Sequence, residues 1–162
     1  MQSMVKREVS LSITEHSEFI RQMILDGLEV ARYRCEKHSI NPFHMLRSNS
    51  IYYRNMRQNG HSAALRTVFN SKEFEDVGVI SVFLDNKQRV SFRDGGQNRR
   101  RYDKCLFSED TIFSEIDILR GCKVEVLVLN DYISINAIKR GWDMLESLSY
   151  RLPHLKLVVF LG

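Results

Sequence analysis

From Val5 to Ile13 the chain alternates, with Val9, Leu11 and Ile13 on one side, the period of a half-buried strand. Thr14 can cap a helix from Glu15. In it Phe19, Ile20, Met23, Ile24, Leu28 and Ala31 recur at three and four residues and mark one apolar face. That helix is expected to end near His38, because the residue before Pro42 is turned away from helical backbone. Between Phe43 and Phe69 the apolar positions fit two short helices broken at Asn59-Gly60. Val77 to Leu84 is β-branched and aromatic. Asp85-Asn86 and an alternating Gln88 to Arg93 follow, which predicts a β-hairpin. Phe107 to Leu119 reads as part helix, part strand.

The last third is patterned most clearly. Val124 to Leu129 is a continuous apolar run, as in a strand covered on both faces. Asn130 or Asp131 is the expected cap of a helix in which Ile135, Ile138, Trp142, Leu145 and Leu148 keep helical spacing. Pro153 stops it, and Leu155 to Leu161 is a second apolar strand. Strand, helix and strand with short connections form a βαβ unit with parallel strands. The expected fold is therefore a single α/β or α+β domain over residues 1–162. N-terminal helices pack on a mixed sheet of four to six strands, with a hairpin and a C-terminal βαβ unit. The expected core is Ile20, Ile24, Leu28, Val79, Val82, Leu127, Leu129, Ile138, Trp142, Leu145, Leu157 and Val159.

Composition agrees with a globular chain: 162 residues, 43% hydrophobic and 27% charged. No apolar run approaches the ~18 residues of a membrane span, and Met1 to Ser10 has no apolar signal-like stretch. Membrane partners are not expected, and the chain reads as cytoplasmic. Cys35, Cys105 and Cys122 are widely spaced and read as reduced thiols rather than as a zinc or disulfide framework.

The net charge is +4, and its distribution carries more information. Arg32, Arg34, Lys37, Arg47, Arg54, Arg57 and Arg66 are opposed within their block by Glu36 alone. Lys87, Arg89, Arg93, Arg99, Arg100, Arg101 and Lys104 are opposed by Asp94 and Asp103. Two cationic blocks in an otherwise acidic chain point to an anionic partner. Tyr33, Phe43, Tyr52 and Tyr53 lie within the first block, and exposed aromatics stack on unpaired bases. The expected phosphate contacts are Arg99, Arg100, Arg101 and Lys104, joined by Arg54 and Arg57 where the blocks meet.

Several short patterns bear on chemistry. Asp117 and Glu125, with Ser114 to Leu127 around them, resemble the metal-binding stretch of the PD-(D/E)xK nuclease superfamily. There an Asp and a Glu from adjacent strands hold a divalent metal such as magnesium, and a lysine positions the attacking water. The resemblance implies Asp117 and Glu125 as metal ligands. Leu127 stands at the lysine position, leaving Lys139 as the substitute. Trp142 to Glu146 matches the WxxxE pattern of bacterial effectors, but Trp142 already belongs to the apolar helix face. Val5 to Asp26 resembles the start of ribbon-helix-helix antitoxins without their second helix. Arg32 and His38 are spaced as in helical HEPN ribonucleases. Cys35 or Cys105 with His61 or His154 is a further nucleophile pair that sequence leaves open.

The functional expectation is a nucleic-acid-associated protein of bacterial or phage type that grips the phosphate backbone, with or without degenerate nuclease chemistry. The alternative is a protein-interaction module, such as an effector secreted into a host cell or an inhibitor of a host protein. Its basic blocks would then meet an acidic protein surface. Whether the chain is an enzyme is left open.

Overall fold

The computed structural model describes residues 13–37, 42–54, 61–74, 78–95 and 104–162. In chain order they form α1 (Ile13–Lys37), α2 (Pro42–Ser48), β1 (Ser50–Tyr53), α3 (His61–Asn70), β2 (Val79–Phe83) and α4 (Asn86–Asp94). Then follow β3 (Leu106–Ser108), α5 (Ile112–Glu115), a 3-10 turn (Ile116–Leu119), β4 (Val126–Asn130), α6 (Ile135–Leu148) and β5 (Leu157–Leu161). The strands make one sheet in the order β1-β5-β4-β2-β3, and every neighbouring pair is parallel.

A parallel sheet needs both faces covered, and its strands then read as unbroken apolar runs. Val126 and Val128 of β4 point to one side, with Leu157 and Val159 of β5. They pack under Ile20, Ile24 and Leu28 of α1, Leu65 and Val68 of α3 and Phe92 of α4. Leu127 and Leu129 point to the other side. They meet Trp142, Leu145 and Leu148 of α6, Ile112 of α5 and Leu46 of α2. Every expected core residue is buried except Ile138, which is partly exposed at the margin of the second cluster. The α/β class and the parallel βαβ unit stand as expected.

Three expectations are corrected. The hairpin is absent: Gln88 to Arg93 belongs to α4, and Asp85, read as a turn residue, is the helix N-cap. Its backbone is extended (φ −142, ψ 164), and its carboxylate accepts the Gln88 N–H at 2.8 Å. Val90 and Phe92 satisfy an alternation of two over so few residues that it does not exclude a helical turn. The sheet is wholly parallel rather than mixed, since the missing hairpin was its only antiparallel element. The cap of α6 is Ser134, whose Oγ accepts the Ala137 N–H at 3.1 Å. Asn130 closes β4 instead, and Asp131 follows in left-handed backbone at φ +60. Between the two short helices lies an unforeseen outer strand, β1, paired with β5 from Ser50↔Val158 to Tyr53↔Leu161. Of the strand expected over Val5 to Ile13, only Ile13 lies within the described residues, and it opens α1.

Candidate functional site

All strands run the same way, so residues just before each strand share one edge of the molecule. Chain segments far apart in sequence thereby contribute to a common rim. Arg47 lies in the last turn of α2, three residues before β1, Lys104 lies two before β3, Lys123 three before β4, and Lys156 directly before β5. The last two turns of α1 reach the same edge. Arg32 there bonds Glu125, and Arg34 donates to the Ser48 carbonyl at 2.9 Å and to Asn49 Oδ1 at 3.3 Å. Lys37 sits over the Tyr33 ring at 4.9 Å, and Arg47 over Trp142 at 5.0 Å.

The carboxyl edge has the opposite character. Asp85, Glu109, Asp110 and Asp131 follow strands β2, β3 and β4 there. Glu109 accepts from the Tyr132 hydroxyl at 2.8 Å and from Arg140 Nε at 3.0 Å. Burial first, and then that carboxylate, push the Tyr132 hydroxyl far above its ordinary pKa, so it remains a donor.

Cations at the amino rim have one structural explanation, because α1, α2 and α6 all end near it. Positive side chains stabilise the carbonyl ends of helices. That accounts for Arg34, Lys37 and Arg47. It does not account for Lys104 or Arg120, which belong to none of those last turns; Lys123 is instead paired with Glu125 at 3.3 Å. Arg120 and Arg151 line a cavity of about 420 Å³ on this rim, together with His154, Tyr150, Asp117 and Cys122. Tyr150 is 79% exposed. Arg151 Nη1 donates to the Phe113 carbonyl at 2.7 Å, which fixes the side chain, and among the described residues no carboxylate pairs with its charge.

The predicted catalytic residues are not brought to one place. Asp117 is exposed on the 3-10 turn and lines that cavity; it does not end a strand. Glu125 is 1% exposed and is not among the residues lining the cavity. Its Oε2 accepts from Arg32 Nε at 3.1 Å, and its Oε1 faces Lys123 and Lys156, each at 3.3 Å. Burial alone would raise its pKa; the hydrogen bond and charge of Arg32, then Lys156 and Lys123, outweigh burial and hold the carboxyl below its usual range. A carboxylate already saturated by three cations does not fit a divalent metal. Lys139 is exposed on α6 and is not part of the cavity. Among the described residues no group of three or more His, Cys, Asp or Glu side chains is placed to hold a metal ion.

Of the predicted phosphate contacts, Arg57, Arg99, Arg100 and Arg101 lie outside the described residues. Arg54 and Lys104 are both exposed but sit at opposite corners. Arg54 follows the carboxyl end of β1, Lys104 precedes the amino end of β3, and these are the two outer strands. Across the sheet alone that is roughly 19 Å. Arg120, Lys123, Arg151 and Lys156 were missed because charge was counted along blocks of chain rather than at strand starts.

The remaining motifs have structural roles. Trp142 is buried, and its Nε1–H donates to the Tyr52 hydroxyl at 2.8 Å. Cys35 is half-buried against Asn49, and burial pushes its thiol up, with Lys156 offsetting part of the shift. No hydrogen bond joins the side chains of Cys122, His154 and Asp117, which line the same cavity.

No family model, curated protein or solved structure matches this chain.

Proposed function

We propose that the protein associates with nucleic acid through the amino-terminal rim of its parallel sheet. The observation that carries the reading is the cavity in which Arg120, Arg151 and His154 converge beside the exposed Tyr150 ring. Guanidinium groups take phosphate oxygens, and an exposed aromatic offers a stacking face to an unpaired base. Lys104 at one side of the rim and Arg34 and Lys37 at the other extend the positive surface. The sequence run Arg99 to Arg101 ends three residues before Lys104 and belongs to the proposed footprint; Arg54 does not. Asp117 and Glu125 serve no metal in this reading, and the proposal is a binding function.

The rim spans roughly 19 Å, which faces about five phosphates at ~3.4 Å per nucleotide. For a single strand, about five contacts give a slope of log K against log salt near −3.5. The test is fluorescence anisotropy of a labelled single-stranded oligonucleotide across a salt series. A slope near −3.5 supports the reading. No binding at about 50 mM salt, or an affinity indifferent to salt, refutes it. An acidic protein surface is the rival occupant. Unlabelled polyglutamate that displaces the oligonucleotide at equal charge concentration would favour that rival.

A further inference from the structure

A second cavity, of about 260 Å³, opens at the other end of the sheet. It lies at the carboxyl ends of β2, β4 and β5, marked by Phe83, Asn130 and Leu161. From β2 the chain crosses one way to β3 and then back past β2 to β4. The strand order therefore reverses between β2 and β4, and open parallel sheets bind ligands outside such a reversal. The position is general to the architecture; the side chains decide what fits.

Arg66 of α3 lines this cavity with its guanidinium over the Phe92 ring at 4.7 Å, and among the described residues its one hydrogen-bond partner is the Phe92 carbonyl, which accepts from Nη2 at 3.2 Å. Its Nε is buried without a hydrogen bond, and none of the ion pairs among the described residues involves it. The guanidinium is partly exposed, only its Nε has lost water without gaining a partner, and no carboxylate among the described residues neutralises it, so its charge is open to an incoming anion. Asp131 lines the same cavity, placed by left-handed backbone and by its N–H, which donates to the Leu161 carbonyl at 2.8 Å. No ion pair joins Arg66 to Asp131 across the space. Phe83, Phe92 and Leu161 supply apolar walls.

The geometry points to a site for a free α-amino acid with an apolar side chain: carboxylate to Arg66, ammonium to Asp131, side chain against Phe83, Phe92 and Leu161. A simple anion would meet Asp131, and a simple cation would meet Arg66. The volume limits the ligand to about a dozen non-hydrogen atoms, below the usual range of drug-sized pockets. The site is independent of the nucleic-acid rim, which lies at the opposite end of the strands.

Isothermal titration calorimetry with L-phenylalanine and L-leucine tests this, with 3-phenylpropionate and 2-phenylethylamine as analogues lacking one charge each. The amino acids are expected to bind at least about tenfold tighter than either analogue, and Arg66→Met and Asp131→Asn each to weaken them about tenfold. Asparagine tolerates left-handed backbone, so Asp131→Asn keeps the test open where Arg66→Met fails to fold. No heat from either amino acid up to about 10 mM, analogues as tight as the amino acids, or unchanged affinity in folded Asp131→Asn would each overturn the assignment.

Discussion

Glu125→Gln is the most informative single change for stability. It preserves shape and removes the one negative charge that Arg32, Lys123 and Lys156 share. Stranding a charge by removing its buried partner costs about 3–5 kcal/mol when the stranded group stays dry. Here Arg32 is 44% exposed and Lys123 58%, so both turn into water when released. Lys156, at 24%, is the cation left partly desolvated. The expected cost is therefore smaller than for a dry pair, about 2 kcal/mol, or a fall of about 4 to 8 °C in Tm. Urea unfolding should show a lower midpoint with unchanged slope. Adding Lys156→Met should recover part of the loss, because the stranded charge is then gone. A change under about 0.5 kcal/mol, or one that does not respond to Lys156→Met, would refute the reasoning.

The same carboxylate sets a pH dependence. Its folded pKa lies below the unfolded value, so its contribution is complete above the unfolded pKa and is lost as pH falls through the folded one. The stability gap between wild type and Glu125→Gln should be full at neutral pH and shrink in strong acid; a gap that widens on acidification contradicts this. Gly78→Ala should cost at least about 2 kcal/mol by urea unfolding, since Gly78 has φ +66 and a Cβ there would overlap the Lys123 carbonyl oxygen. Ser81→Ala should cost about 1–2 kcal/mol, because the buried Asn130 amide donates to Ser81 Oγ and would lose that acceptor. Alkylation followed by mass spectrometry should label exposed Cys122 first and Cys35 slowly, and equal rates would contradict the burial assigned to Cys35.

The parts of the fold legible in the sequence were those with long, unambiguous periods. Ile135 to Leu148 keeps helical spacing over its whole length, and the two apolar runs that flank it had to be covered strands. Short elements were not legible. Four residues of β1 carry no period, and its pairing with β5 is a contact across more than a hundred residues of chain. The Asp85-Asn86 pair suits a turn and a helix cap equally, and only Phe92 packing against Phe83 at 5.4 Å between ring centroids decides for the helix. The rim was half legible. Charge density flagged Arg32, Arg34, Lys37, Arg47 and Lys104, but the edge they share follows from parallel pairing, which a block count does not contain. The carboxylate pair Asp117 and Glu125 misled because spacing says nothing about burial: one side chain lies in solvent, and the other is enclosed by cations.

Charge reversal at the two ends of the sheet tests the central claim most directly. Affinity for a single-stranded oligonucleotide should be compared for Arg120→Glu, Lys104→Glu and Arg54→Glu at one salt concentration. The amino-rim changes, at Arg120 and Lys104, are predicted to weaken binding at least about tenfold, and Arg54→Glu, at the carboxyl edge, by less than about twofold. Equal losses from all three, or wild-type affinity in both amino-rim variants, would contradict the account.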